Sequence, residues 1–233
     1  MRAIWTIGIE FARQQRVMLV IFAFWILGFD LIVAAFHRGT DYSDIAAIFT
    51  QQCIYGIAFT VFLSSSVLHN ERNSRRVLAM LSKGITRADY LAAHILGITL
   101  LGTLYFVAAG GLFWAIHQSY GIDVYVAQTV LAGIAAALLA TTVALAFASW
   151  MHPLLAAVLT MVVLAAPMPF LPHSEAMVIS PVAYFLRASF FFDHSQGWTG
   201  PWSYWLIAVL ETAAAWLAAA FIFERQDVAV PTE

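Results

Sequence analysis

The sequence His69–Tyr90, HNERNSRRVLAMLSKGITRADY, separates two long apolar runs and holds five of the eleven Lys and Arg residues, Arg72, Arg75, Arg76, Lys83 and Arg87. In a chain of 233 residues that is 62% hydrophobic and only 10% charged, this concentration fixes which side of a membrane the connection occupies. The flanking runs, Ile45–Leu68 and Leu91–Ile116, are each long enough to cross about 30 Å of hydrocarbon as a helix.

Working outward, four more runs qualify: Val17–Phe36, Val124–Ala148, Leu154–Leu171 and Trp202–Phe223. The fifth in chain order is the shortest and carries Pro167 and Pro169 at its end. Helices are expected because hydrocarbon offers the backbone no other hydrogen-bond partner, and no stretch alternates as a membrane β-barrel strand would. The expected fold is therefore an all-α integral membrane protein, one six-helix bundle over 17–233. A mean hydropathy of +0.83 agrees with that class.

Positive charge in the connections sets the orientation. Arg2, Arg13, Arg16, the five basic residues of 69–90 and Arg225 put nine on one side, against Arg38 and Arg187 on the other. Both termini and the 69–90 loop are thereby expected in the cytoplasm. A net charge of −2 argues against nucleic acid as a partner. The single cysteine, Cys53, lies in an apolar run, cannot form an internal disulfide, and reads as a small packing residue.

Residues 1–16 interleave charge with apolar residues and lack the small-residue cleavage pattern of a signal peptide. Arg2, Thr6, Glu10 and Arg13 recur at helical spacing, while Ile4, Trp5, Gly8, Phe11 and Ala12 fill another face, as in an amphipathic helix lying in the membrane interface. An ordinary charged flank is the alternative. Between spans five and six, 172–201 is long yet apolar. Ser180-Pro181 opens it as an N-cap and first helical position would. The following VAYFLRASFFF is too short to span and too apolar for water. A semi-buried external helix or re-entrant hairpin fits it, and a helix resting on top of the bundle is the alternative.

No G-x-x-x-x-G-K-[ST] phosphate loop, G-x-S-x-G or H-E-x-x-H occurs. The seven histidines, His37, His69, His94, His117, His152, His173 and His194, show no metal-ligand spacing on one helix face. Ser64-Ser65-Ser66 has no base in sequence reach and reads as hydroxyls bonding back to helix carbonyls. No catalytic residue, metal site or cofactor site is expected in this chain.

Polar residues within the spans carry more weight, because charge in lipid is costly. Asp30 in the first span and Gln51 and Gln52 in the second lie roughly 9–10 Å from the outer ends of their helices, and Glu211 lies about 13–14 Å into the last. One reading lines a polar substrate path with these four residues. The other is structural, with Glu211 protonated or paired to Arg187. Small-residue ridges, Ala132, Ala136, Ala140, Ala144 and Ala148 in the fourth span and Ala213, Ala214, Ala215, Ala218, Ala219 and Ala220 in the last, suit close packing of helices in lipid.

This layout resembles the membrane subunit of type-2 ABC exporters. The resemblance covers nearly the whole chain in arrangement, but its motifs are short. Glu71 stands at the acidic position of the family's loop after span two, Arg76-Val77-Leu78 at its T-L-like element, and Ala79-Met80-Leu81-Ser82 at its leucine-rich turn. Gly84-Ile85-Thr86-Arg87 stands at the P-[ILV]-[ST]-R element, and Ser180-Pro181, Tyr184 and Arg187 are similar to S-P-x-x-Y. Arg76, where Gly or Thr is usual, and Gly84, where Pro is common, depart from the pattern.

The resemblance implies a short coupling helix that fits a groove in a separate cytoplasmic ATPase, with Glu71, Arg75, Arg76, Leu78, Leu81 and Arg87 as its coupling residues. It further implies two ATPase copies carrying ATP and Mg, a second permease bundle, identical or related, and residence in a bacterial inner membrane. An amphipathic or lipid-like molecule, drug or peptide would be the cargo. A haem-exporter-like or metal-site maturation subunit and a non-catalytic anchor or assembly protein are the competing readings.

Overall fold

The computed structural model describes residues 2–36, 42–73, 76–82, 84–117, 123–166, 182 and 199–225. These residues form helices and short connections with no strand among them. The helices are α1 (Arg2–Gln14), α2 (Arg16–Phe36), α3 (Tyr42–Asn73), α4 (Arg76–Leu81), α5 (Arg87–His117), α6 (Asp123–Ala148), α7 (Pro153–Ala165) and α8 (Thr199–Arg225). Four of them, α3, α5, α6 and α8, are long and apolar enough to cross a membrane, and α1 with α2 forms a fifth candidate bent by 60°.

The expected six crossings are met in part. The first span is the straight part of a bent pair, because the chain turns at Gln15 between two helices. The expected span Leu154–Leu171 is described as the 13-residue α7, about 20 Å long at 1.5 Å per residue. Its Pro167–Leu171 portion lies outside the described residues. So does the expected external helix at 172–201, apart from Val182, which is fully buried, and the first turn of α8. His152 caps α7: its Nδ1 accepts from the Leu154 amide at 3.4 Å, and Pro153 follows as the first helical residue.

The centre of the bundle is α6, which packs against α3, α5, α7 and α8. Its alanine ridge performs as expected: Ala132, Ala136, Ala140, Ala144 and Ala148 are all buried. The last helix uses its small residues differently. Only Ala219 and Ala220 are buried, whereas Ala213, Ala214 and Ala218 face outward. Near the far end of the bundle, Phe49 stacks on Phe113 at 4.5 Å between centroids, and the Thr50 and Tyr125 hydroxyls meet at 2.9 Å. The three serines also behave as expected, since Ser64, Ser65 and Ser66 donate to the carbonyls of Thr60, Phe62 and Leu63.

The amino-terminal helix is amphipathic but does more than lie flat. It crosses α5 so closely that a Cβ on Gly8 would sit 2.8 Å from the Ala93 carbonyl oxygen, and one on Gly97 would sit 2.7 Å from the Gly8 carbonyl oxygen. Glycine is required on both helices by that approach. Phe11 is buried beside the contact, while Trp5 and Ile9 point outward. Changing Gly8 or Gly97 to Val is expected to destabilise the fold by about 1–3 kcal/mol through overpacking against backbone. Gly28→Ala, where a Cβ meets open space, is expected to be neutral or slightly stabilising. Thermal unfolding in detergent compares the three, and equal melting temperatures would refute the close crossing.

Candidate functional site: the junction of residues 71–94

Apolar packing carries a charged residue inward at the end of α3. Val67 and Leu68 are buried, and Glu71 follows them by one helical turn, so its side chain, 15% exposed, leaves on the same inward stripe. The returning helix α5 supplies its partners. His94, whose side chain is 2% exposed, places Nε2 3.2 Å from Oε1 of Glu71, within ion-pair range though not aligned as a straight hydrogen bond. Tyr90, one turn earlier, donates its hydroxyl to Oε2 of the same carboxylate. Nδ1 of His94 lies 2.9 Å from the Tyr90 carbonyl. A carbonyl only accepts, so Nδ1 is the donor there.

Two further helices close on this cluster. From α1, the Phe11 ring approaches His94 at 5.1 Å, and the Tyr90 ring lies 4.4 Å from it. From α8, Phe223 stacks on Tyr90 at 6.3 Å. Arg87 secures that end of α8: its Nη1 donates to the carbonyls of Phe223 at 2.6 Å and Glu224 at 3.1 Å, with the guanidinium 5.6 Å from the Phe223 ring. The last carbonyls of a helix lack partners in their own ladder and carry partial negative charge, so a cation there is favourable. One cluster therefore joins α1, α3, α5 and α8.

The connection across the junction is built compactly. Val77 of α4 is fully buried, and Met80, Leu81 and Ile85 rest against the core. After α4 the Gly84 amide bonds to the Leu81 carbonyl at 3.1 Å, and Gly84 adopts φ +78°. That conformation is closed to proline and strained for most side chains. The departure from the exporter pattern at Gly84 is thus a different turn, not an equivalent residue. Thr86 then caps α5 by accepting from the Asp89 amide at 3.1 Å.

The expected coupling residues divide accordingly. Glu71 and Arg87 are engaged inward, and Leu81 is half-buried. Between them Val77 is used by the bundle itself. Arg76 and Leu78 belong to α4 by their backbone, and Arg75 lies outside the described residues. Among the described residues of the connection, Ala79, Ser82, Gly84 and Thr86 face outward.

The four candidate path residues are not assembled into one site among the described side chains. Gln51 faces outward, whereas Gln52 is fully buried with neither side-chain polar atom hydrogen-bonded. Glu211 is half-buried on α8, which packs against α6 and α5 rather than α3. Asp30 is described by its helical backbone in α2, and Arg187 lies outside the described residues. Among the described residues no group of three or more His, Cys, Asp or Glu is arranged to hold a metal ion.

Sequence reasoning counted His94 among scattered histidines and missed its role. A usable signal was present. Glu71 and His94 lie nearly equidistant from the turn at Gly84, so an antiparallel pair of helices brings them level, and an ionisable residue just inside an apolar run needs such a partner. No protein-family model matches the chain, and neither does any curated protein sequence.

Replacing His94 with Ala removes the buried imidazole beside the Glu71 carboxylate and is expected to cost about 1–3 kcal/mol. Adding Glu71→Ala is expected to return part of that loss, so a double-mutant cycle measured by denaturant unfolding should show coupling; strict additivity would exclude the pair. Arg87→Ala is expected to raise amide exchange over residues 219–225 while exchange in α6 stays constant. An unchanged 219–225 segment would show that the cap contributes nothing.

Proposed function

We propose that this chain is the membrane subunit of an ATP-binding cassette exporter, working as a pair of six-span bundles with separate cytoplasmic ATPase subunits. The observation that carries the proposal is the junction. The connection after α3 lays a short helix on the bundle, and its two flanking helices are locked to each other, to α1 and to α8 by Glu71, Tyr90, His94 and Arg87. A push on α4 by a closing soluble domain would therefore reach four helices at once instead of bending a loop. The positive-inside count supports a cytoplasmic position for this end and for both termini. The sequence order of Glu71, the α4 residues and Ile85-Thr86-Arg87 supports the exporter layout, and Gly84 is its main departure.

In this reading the coupling surface is the outward side of α4 together with Ala79 and Ser82. Glu71 and Arg87 act behind it as transmitting residues. The ATP and Mg sites lie on the partner. Gln51, Gln52, Asp30 and Glu211 remain the residues proposed to meet an amphipathic cargo, with Gln52 the strongest among them because its buried amide has no partner among the described residues.

Cys53, the only native cysteine, is fully buried, so a single introduced thiol reports on the surface. Ser82→Cys with a short bifunctional reagent in native membranes is expected to trap a nucleotide-binding chain. Glu71→Gln is expected to keep that chain bound while lowering transport-linked ATP hydrolysis several-fold. Purification of the protein without any ATP-binding chain under several mild conditions would overturn the exporter reading.

A further inference from the structure

The bend between α1 and α2 encloses space that the junction does not use. Below the elbow at Gln15, a cavity of 640 Å³ lies between α1, α2 and α3, within the size range of about 300–1,000 Å³ typical of ligand sites. Its lining changes character along its length. At one end Met18, Phe62 and Leu63 make an apolar furrow, and at the other Gln14, Asn70 and Glu71 present polar groups. From Phe62 to Glu71 that change spans nine residues of α3, about 13 Å along the axis. Around the outside of the elbow, Gln14 and Gln15 continue into a second hollow lined by Glu10, Arg13 and Arg16. Among the described residues no carboxylate pairs with Arg13 or Arg16.

We propose that this elbow binds one phospholipid from the adjoining leaflet, with its phosphate held by Arg13 and Arg16 and one acyl chain in the furrow of Met18, Phe62 and Leu63. Three observations select that occupant. The apolar-to-polar gradient follows the gradient of a bilayer leaflet and matches the polarity profile of a phospholipid, with the Glu10 carboxylate sharing the hollow of the two arginines. The adjoining hollow carries two arginines, a residue type whose planar guanidinium suits phosphate. The furrow opens toward lipid, since Phe62 is 56% exposed on the surface of a bundle whose neighbouring helices α2 and α3 touch only sparsely. A soluble anion would leave the furrow empty, and a neutral lipid would leave the arginines unused. The site also borders Glu71, so a lipid seated there lies against the junction. The inference rests on the bundle's lying in a bilayer and is independent of the exporter reading.

Native mass spectrometry of the full chain in a mild detergent tests it, with three probes: dioleoyl phosphatidylglycerol, dioleoylglycerol and inorganic phosphate. The phospholipid is expected to bind, dioleoylglycerol to bind at least about tenfold more weakly, and millimolar phosphate to leave the bound lipid in place. Arg13→Glu with Arg16→Glu, both at exposed positions, is expected to weaken phospholipid binding by about tenfold or more. Ser66→Trp is expected to weaken it by filling the cavity. Because that variant can fail to fold, Met18→Trp at the mouth of the furrow serves as its second form. Equal binding of dioleoylglycerol would overturn phosphate recognition, and displacement by inorganic phosphate would reduce the site to an anion site. Unchanged binding in the double arginine variant would place the lipid elsewhere. None of these readouts involves an ATPase, so the proposal stands or falls apart from the transport reading.

Discussion

In hydrocarbon a leucine gains almost nothing by leaving lipid for another helix, so a membrane bundle is held by close backbone approach and by polar groups that have no other partner. The structure is arranged around that constraint. Its central helix α6 offers a ridge of alanines to its neighbours, and α1 reaches α5 through facing glycines. Large side chains such as Leu206, Leu210 and Leu217 of α8 are left on the outside, where a soluble protein would not put them.

One knot of polar attachment gathers several helices at one end. Glu71, Tyr90 and His94 form one knot, and Arg87 ties the last helix beside it. Four helices that are far apart in sequence thus depend on residues within a 24-residue stretch, 71–94. Each member of the knot serves a neighbour as well as itself. Tyr90 offers a hydroxyl to Glu71, a carbonyl to His94 and a ring face to Phe223.

How much of this was legible in the sequence depended on the kind of signal. Long apolar runs gave α3, α5, α6 and α8 directly, because length and hydropathy act locally. The alanine period of α6 marked a packing face correctly, whereas the alanines of α8, without a fixed period, did not say which of them meet a neighbour within the chain. The bend at Gln15 carries no Pro or Gly, yet the switch from an amphipathic pattern over 1–16 to an unbroken apolar run from Val17 marked its place, though not its angle or the close crossing of α1 on α5. The junction was half legible. Charge density pointed to 69–90, but Glu71 and Arg87 looked like surface residues for a partner until their inward bonds placed them in the bundle. Pairings across helices arise from three-dimensional register, and periodicity within one helix cannot supply them.

The hairpin of α3 and α5 is also a ruler laid against the membrane. The apolar runs Ile45–Leu68 and Leu91–Ile116 would measure about 36 and 39 Å as helices, longer than the about 30 Å of a typical hydrocarbon core. Burying them wholly takes a tilt of roughly 30–40° or a locally thicker bilayer. Because Glu71 and His94 fasten the two helices to each other, they must lean as one body. Acyl-chain length in the surrounding lipid then sets the angle at which α4 is presented at the surface, making hydrophobic mismatch a determinant of the protein's outward geometry.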